Sequence, residues 1–283
     1  MDKKYDINDD DVVFIEGKQK KWYKNPINWI IAGIIVVIVV VGTLFPIVLH
    51  NQTDSSLPLS TTDSVYRINY SDPFADVDTN INALYIHDDT IDFIPVRFYY
   101  PVNANVELRI GEQTPDSSTM LIIEAAGIRA DNNDIVGAFV LNGELQSHGM
   151  SKNGYCAIID NDIFIGCEAA TAYMEMSIDK NGYFFRQYPL IHNGRMVETR
   201  RREKAQRRSL CFYKGKYVVI ETLSRESMIN FMLMLQDIGV KEAIYLIGAN
   251  TWGWYTKDGQ ITEFGVKDSI ANEKINYIAW KYK

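Results

Sequence analysis

The chain has 283 residues, 47% of them apolar, and a net charge of −7. That length supports one domain of about 200–230 residues once the N-terminal region is set aside, with little room for a second. The acidic balance argues against nucleic acid as a partner, because neutralising phosphates needs a basic surface. Cys156, Cys167 and Cys211 are an odd set, and His50, His87, His148 and His192 are scattered. Neither group has metal-ligand spacing, so no metal and no cofactor is expected.

Residues 1–28 read as a polar cytoplasmic tail that carries Lys18, Lys20, Lys21 and Lys24 close to its end. Trp29–Leu49 holds no charged residue. About 20 apolar residues at 1.5 Å each cross a hydrocarbon core of about 30 Å, so 29–49 is expected to be a transmembrane helix in the lipid bilayer. A cleaved signal peptide is the competing reading, but its apolar run would be shorter and followed by small residues. No basic residue follows until Arg67. The positive-inside rule therefore puts the N-terminus in the cytoplasm and the C-terminal domain outside it, a single-pass arrangement. Residues 50–64, rich in Ser, Thr and Pro, read as a tether, and Asn51 and Asn69 open glycosylation sequons.

Residues 65–283 are expected to form one extracytoplasmic domain. Strand-like runs fall at Val65–Tyr70, Ala83–His87, Asp92–Tyr100, Val106–Ile110, Leu121–Ala126, Val136–Leu141, Tyr155–Ile159, Asp162–Cys167, Tyr173–Ile178, Leu190–His192, Leu210–Tyr213 and Tyr217–Glu221. Asn142-Gly143, Asn181-Gly182, Asn193-Gly194 and Lys214-Gly215 mark tight turns between them. One amphipathic helix is read after Ser224, with Met228, Phe231, Met232, Leu235 and Ile238 on one face and Gly239 ending it. Ala243–Ile247 follows as a buried strand and Tyr277–Trp280 as the last one. The expected fold class is α+β or mixed α/β: a strand-rich domain with a strand-helix-strand unit near its C-terminus, plus the N-terminal transmembrane helix.

Several segments in this order resemble those of the phosphodiester glycosidase family, the N-acetylglucosamine-1-phosphodiester alpha-N-acetylglucosaminidase-like domains. The family's N-A-G-F-F strand end resembles Ala125-Ala126-Gly127-Ile128-Arg129, and its G-G-P-x-L segment resembles Gln187-Tyr188-Pro189-Leu190-Ile191. Its R-T-A-I-G strand resembles Arg208-Ser209-Leu210-Cys211-Phe212, and V-V-[DE]-G resembles Val218-Val219-Ile220-Glu221. The glycine-rich L-D-G-G-G-S-S loop resembles Leu246-Ile247-Gly248-Ala249-Asn250-Thr251-Trp252. Ala125 stands where the family has Asn, and Ile247 where it has Asp. The resemblance covers residues 120–283 and implies a hydrolase fold acting on, or binding, a sugar phosphate or anionic glycan of the cell envelope. Glu221 and Arg208 are the implied catalytic pair. Gly127, Gly248, Asn250, Thr251 and Trp252 are the implied ligand-binding residues.

Each of these residues also has a plainer reading. Glu221 could be a strand-end residue on a solvated edge. Arg208 belongs to a basic run with Arg200, Arg201, Arg202, Lys204 and Arg207, which would balance an acidic domain unless one or two of its members point inward to hold an anion. Trp252, Trp254 and Tyr255 could stack on sugars or cover a core edge. Asp131-Asn132-Asn133-Asp134 resembles calcium ligands but lacks the EF-hand spacing, so a turn is expected there. A hairpin centred on Asn161-Asp162 would oppose Cys156 and Cys167 and allow a disulfide. Two functions remain open: an enzyme of the phosphodiester glycosidase type, and a non-catalytic envelope binding or assembly module on the same fold.

Overall fold

The computed structural model describes residues 70–149, 151–198, 203–248, 250–267 and 273–283. They lie in one compact unit, Arg67–Lys283. The expected transmembrane segment, tail and tether, and Arg200, Arg201 and Arg202, fall outside the described residues. Among the described residues no helix is long and apolar enough to cross a membrane.

With strands numbered along the chain, the largest sheet runs β1 (Ala83–Ile91), β2 (Ile94–Val102), β14 (Lys216–Thr222), β13 (Arg208–Tyr213), β16 (Glu242–Leu246), β10 (Pro189–His192), β11 (Arg195–Met196). A second sheet has the order β18 (Gln260–Phe264), β17 (Gly253–Lys257), β4 (Thr119–Glu124), β19 (Asn276–Lys281), β3 (Asn105–Ile110). A third has the order β6 (Glu144–Ser147), β5 (Phe139–Leu141), β9 (Tyr183–Gln187), β7 (Gly154–Ile159), β8 (Asp162–Cys167). A small ribbon pairs β12 (Lys204–Ala205) with β15 (Glu226–Ser227). The two described helices are short: α1 (Ala172–Asp179) and α2 (Met228–Asp237).

The pairings between the described strands are antiparallel, and the isolated Thr251–Val266 bridge outside them is parallel. This corrects the α+β or mixed α/β class: the domain is strand-dominated and antiparallel. The strand-helix-strand order misleads for a physical reason. β14 and β16 do run in the same direction on either side of α2, but β13 lies between them and pairs antiparallel with both.

Period-two alternation places the core. On the seven-stranded sheet, Tyr99, Leu210, Val219, Ile244 and Leu246 face a central core shared with the other two sheets through Leu121, Ile123, Phe139, Cys156, Phe185 and Ile278. The intervening Phe98, Cys211, Val218, Ile220 and Ala243 face α2, which contributes Met228, Phe231, Met232, Leu235 and Ile238. The expected apolar helix face is thus the buried one. The helix starts at Ser227, not Ser224, because Glu226 and Ser227 first pair with β12. The Ser227 hydroxyl then accepts from the Asn230 N–H at 3.1 Å.

Two further expectations are corrected. Tyr173–Ile178 is α1 and not a strand: Thr171 caps it, and Tyr173 stacks on Tyr155 and Phe164. The β7–β8 hairpin turns at Asp160 and Asn161 (φ 54° and 72°), one residue earlier than expected, and the Asn161 side chain ties that turn to Val106 N–H and Ala104 C=O. Cys156 therefore faces Ile165, Cys167 faces Gly154, and the three thiols are free.

Candidate functional site

Arg208, Glu221, Ile247 and Thr251 meet at one end of the seven-stranded sheet. Arg208 opens β13 and lies opposite both Glu221, near the end of β14, and Leu246, which ends β16. Strand parity turns Arg208, Glu221 and Tyr99 toward the central core, so all three are buried.

Their groups interlock. Arg208 Nε donates to Glu221 Oε2 at 2.8 Å, and the Tyr99 hydroxyl donates to Oε1 at 2.7 Å. Arg208 Nη1 donates to the Ile247 carbonyl at 3.2 Å and to Thr251 Oγ1 at 3.3 Å. Thr251 in turn donates to the same carbonyl at 3.1 Å. The guanidinium lies 5.0 Å from the centroid of the Phe264 ring. Burial, with the Glu221 charge beside it, pushes the Tyr99 phenol well above its ordinary range, so it remains a donor. Arg97 faces Glu221 across the β2–β14 ladder, but its fork closes on Asp88 with two 2.6 Å bonds.

The loop after β16 is set by close approaches. A Cβ on Gly248 would lie 2.4 Å from the Gln206 carbonyl oxygen, so only glycine fits there. Asn250 is exposed at φ 72°, and its carbonyl accepts from Val266 N–H at 2.8 Å. Trp252 is turned aside: its indole donates to Glu263 at 2.7 Å, and its ring packs with Trp254 and Tyr277. Ala249 lies outside the described residues.

Gly127 joins the same end from β4. Asn276 on β19 clamps its neighbour Ala126, accepting from its N–H at 2.8 Å and donating to its carbonyl at 3.1 Å. A Cβ on Gly127 would lie 3.8 Å from both the Ile247 side chain and Lys152 Nζ, an ordinary contact. Lys152 Nζ is also 4.6 Å from the Tyr188 ring centroid.

Tyr99, Phe264, Lys152, Tyr188 and Asn276 were not singled out by sequence as site residues. For Tyr99 a signal existed, since its parity in β2 turns a polar tip inward. Of the described members of the basic run, Arg207 and Arg208 are buried. Arg207 is a backbone clasp, donating to the Glu226 carbonyl at 3.0 Å and to Glu203. Asp131–Asp134 is a turn with Asn133 at φ 59°, and no group of metal-ligating side chains occurs among the described residues. Two open surface clefts, one around Ser117 and Asp258 and one around Asn161 and Lys216, include neither Arg208 nor Glu221.

No family model matches the sequence, and no curated protein matches it. Among solved structures, the domain is similar to the zebrafish N-acetylglucosamine-1-phosphodiester alpha-N-acetylglucosaminidase catalytic domain auto-inhibited by pro-peptide. The TM-score is 0.51 at 12% identity, over 71% of this chain and 82% of that one. A hypothetical protein from Synechocystis gives a TM-score of 0.44 at 12% identity, over 71% and 62% of the two chains, too low to carry an argument. The zebrafish likeness establishes a distant relationship in fold, to a glycosidase catalytic domain, and that fold is what the two chains share.

Proposed function

We propose that this domain binds a sugar phosphate or anionic glycan of the cell envelope and hydrolyses it poorly or not at all. The observation that carries this reading is the engagement of Glu221. One carboxylate oxygen is held by Tyr99 and the other by Arg208, and the residue is 8% exposed. A glycosidase carboxylate must reach the sugar's reacting centre, whereas this one is spent on holding strands together. Ile247 stands where the resembling family has Asp, which removes a second carboxylate. Binding is supported by the rim. Lys152, whose ammonium lies over the Tyr188 ring, places a positive charge beside Gly127. Membrane anchoring through 29–49, with the domain outside the cytoplasm, is proposed with this reading and rests on the charge asymmetry of the sequence.

The test is calorimetry and product analysis with full-length protein in detergent, using sugar 1-phosphates, sugar-phosphate diesters and neutral sugars. The expected result is binding of the anionic ligands only, weakened by salt and by Lys152→Ala, without turnover. Diester hydrolysis abolished in Glu221→Gln would instead establish an active hydrolase.

A further inference from the structure

The loop between β6 and β7 carries Lys152 at φ 68°. The other non-glycine residues at positive φ in the described domain are mostly Asn or Asp, whose short polar side chains tolerate it. A lysine there is strained. Such strain persists only where the surroundings fix it. Here three carbonyls are held. Gly149 accepts from Ala138 N–H at 3.1 Å, and Asn153 accepts from Glu168 N–H at 2.9 Å. Between them, the Lys152 carbonyl accepts from Arg186 Nη1 at 3.2 Å.

Arg186 lies on β9 and is 2% exposed. Its Nη1 also donates to the Glu168 carbonyl at 3.0 Å, and its Nη2 to the Ala169 carbonyl at 2.9 Å. It therefore joins the Lys152 loop to the segment after β8. These acceptors are neutral carbonyls, and the buried Nε has no partner. Burying a guanidinium without a carboxylate is costly, and a neutral amide would tie two loops at lower cost. The cost fits a place where a single geometry matters. Close packing enforces that geometry: a Cβ on Gly137 would lie 2.9 Å from Arg186 Cβ and 3.1 Å from the Ser151 carbonyl oxygen. Two residues further along, Tyr188 takes the other end of Lys152, with its ring centroid 4.6 Å from Nζ. The segment 186–188 thus holds Lys152 both at its carbonyl and at its ammonium.

We infer that Arg186 is a positioning residue for the anion site: it fixes the strained backbone of Lys152 so that the ammonium stands over Tyr188 and beside Gly127. The link to a ligand rests on the binding reading given above. Arg186 itself touches no ligand. A long lysine side chain on a free loop would spread its charge over many rotamers. Clamped at both ends, it presents the charge at one point, 3.8 Å from where a Cβ on Gly127 would stand. Support of this kind, from residues behind the binding group, is what gives a site its precision.

The experiment uses the full chain in detergent, with its lysines reductively methylated with carbon-13 for NMR and unmodified for calorimetry. Lys152→Arg identifies the Lys152 signal by its absence. The expected result is a Lys152 signal moved upfield by the Tyr188 ring current, and returned to the surface-lysine position by Tyr188→Leu. Arg186→Lys keeps the charge but lacks the fork that bonds three carbonyls. It should lose the upfield shift while the other lysine signals stay in place. It should also weaken binding of inorganic phosphate by the same factor as Lys152→Ala, with no further loss when the two are combined. If Arg186→Lys does not fold, Arg186→Gln, which removes the buried charge, takes its place. A lowered melting temperature with the shift intact would show that Arg186 is merely structural and overturn the proposal. An unshifted Lys152 signal in the wild type would overturn it as well. Loss of the shift in the variant, with no phosphate bound by the wild type, would uphold the positioning and overturn the binding reading.

Discussion

Arg208 and Glu221 stand directly opposite each other on β13 and β14, joined at 2.8 Å with both side chains buried. The pair spans the two central strands of the largest sheet, and the guanidinium extends it to the Ile247 carbonyl. Removing one partner leaves the other charge buried and unpaired. Arg208→Ala is therefore expected to cost about 3–5 kcal/mol of stability, and Arg208→Met with Glu221→Leu considerably less. Urea denaturation of the three proteins checks this. A double variant as damaged as Arg208→Ala alone would mean that the loss comes from packing and not from stranding a charge.

The two site glycines should behave oppositely. Gly248→Ala drives a Cβ against the Gln206 backbone carbonyl, and a loss of about 1–3 kcal/mol is expected. Gly127→Ala meets only ordinary contacts and should change stability by less than about 0.5 kcal/mol. Thermal unfolding of both variants reads the difference.

Burial pushes the Cys156 thiol up, and pushes Cys211 up to about 12 despite its contact with Ser209. Thiol reagents attack the thiolate. Native protein at pH 8 should thus react at Cys167 alone, slowly, since partial burial raises that thiol too. All three should react in denaturant. Peptide mapping that shows fast native labelling at position 156 would contradict the buried β7 placement.

The Arg97 fork holds the Asp88 carboxyl below its usual range, against a smaller opposing effect of burial. A carboxyl depressed in the fold contributes stability that is present above its unfolded pKa, near 4, and lost as pH falls through the lower folded value. Asp88→Asn should accordingly lower stability at pH 7 and flatten its acid limb between about pH 5 and 2. A limb of unchanged slope would show that the pair is broken in solution.

Strands and turns were legible in the sequence to the extent that they are local. Asp162–Cys167 and the turns at Asn142-Gly143 and Lys214-Gly215 follow from alternation and from residues that tolerate positive φ. The turn at Asp92-Phe93 was hidden, because a phenylalanine there does not read as a turn residue. The α1 helix was hidden because six residues with alternating bulk also fit a strand, and its capping by Thr171 shows only in three dimensions. At the site, sequence order brought Arg208 and Glu221 into view. It could not show that each is the other's partner, because their pairing depends on β13 lying between β14 and β16. That insertion is also what made an antiparallel sheet look mixed.

The placement of β19 has a consequence for how the chain folds. It fills the gap between β3 and β4, and its Asn276 grips Ala126 from 150 positions away. Until the last strand arrives, β4 has an open edge along Leu121, Ile122 and Ile123, an apolar run of the kind that pairs with any free strand. Closure over so long a loop is slow. During synthesis this half of the molecule therefore stays open to aggregation until residues 276–281 have emerged, and a chain cut short before residue 276 would leave that edge permanently open.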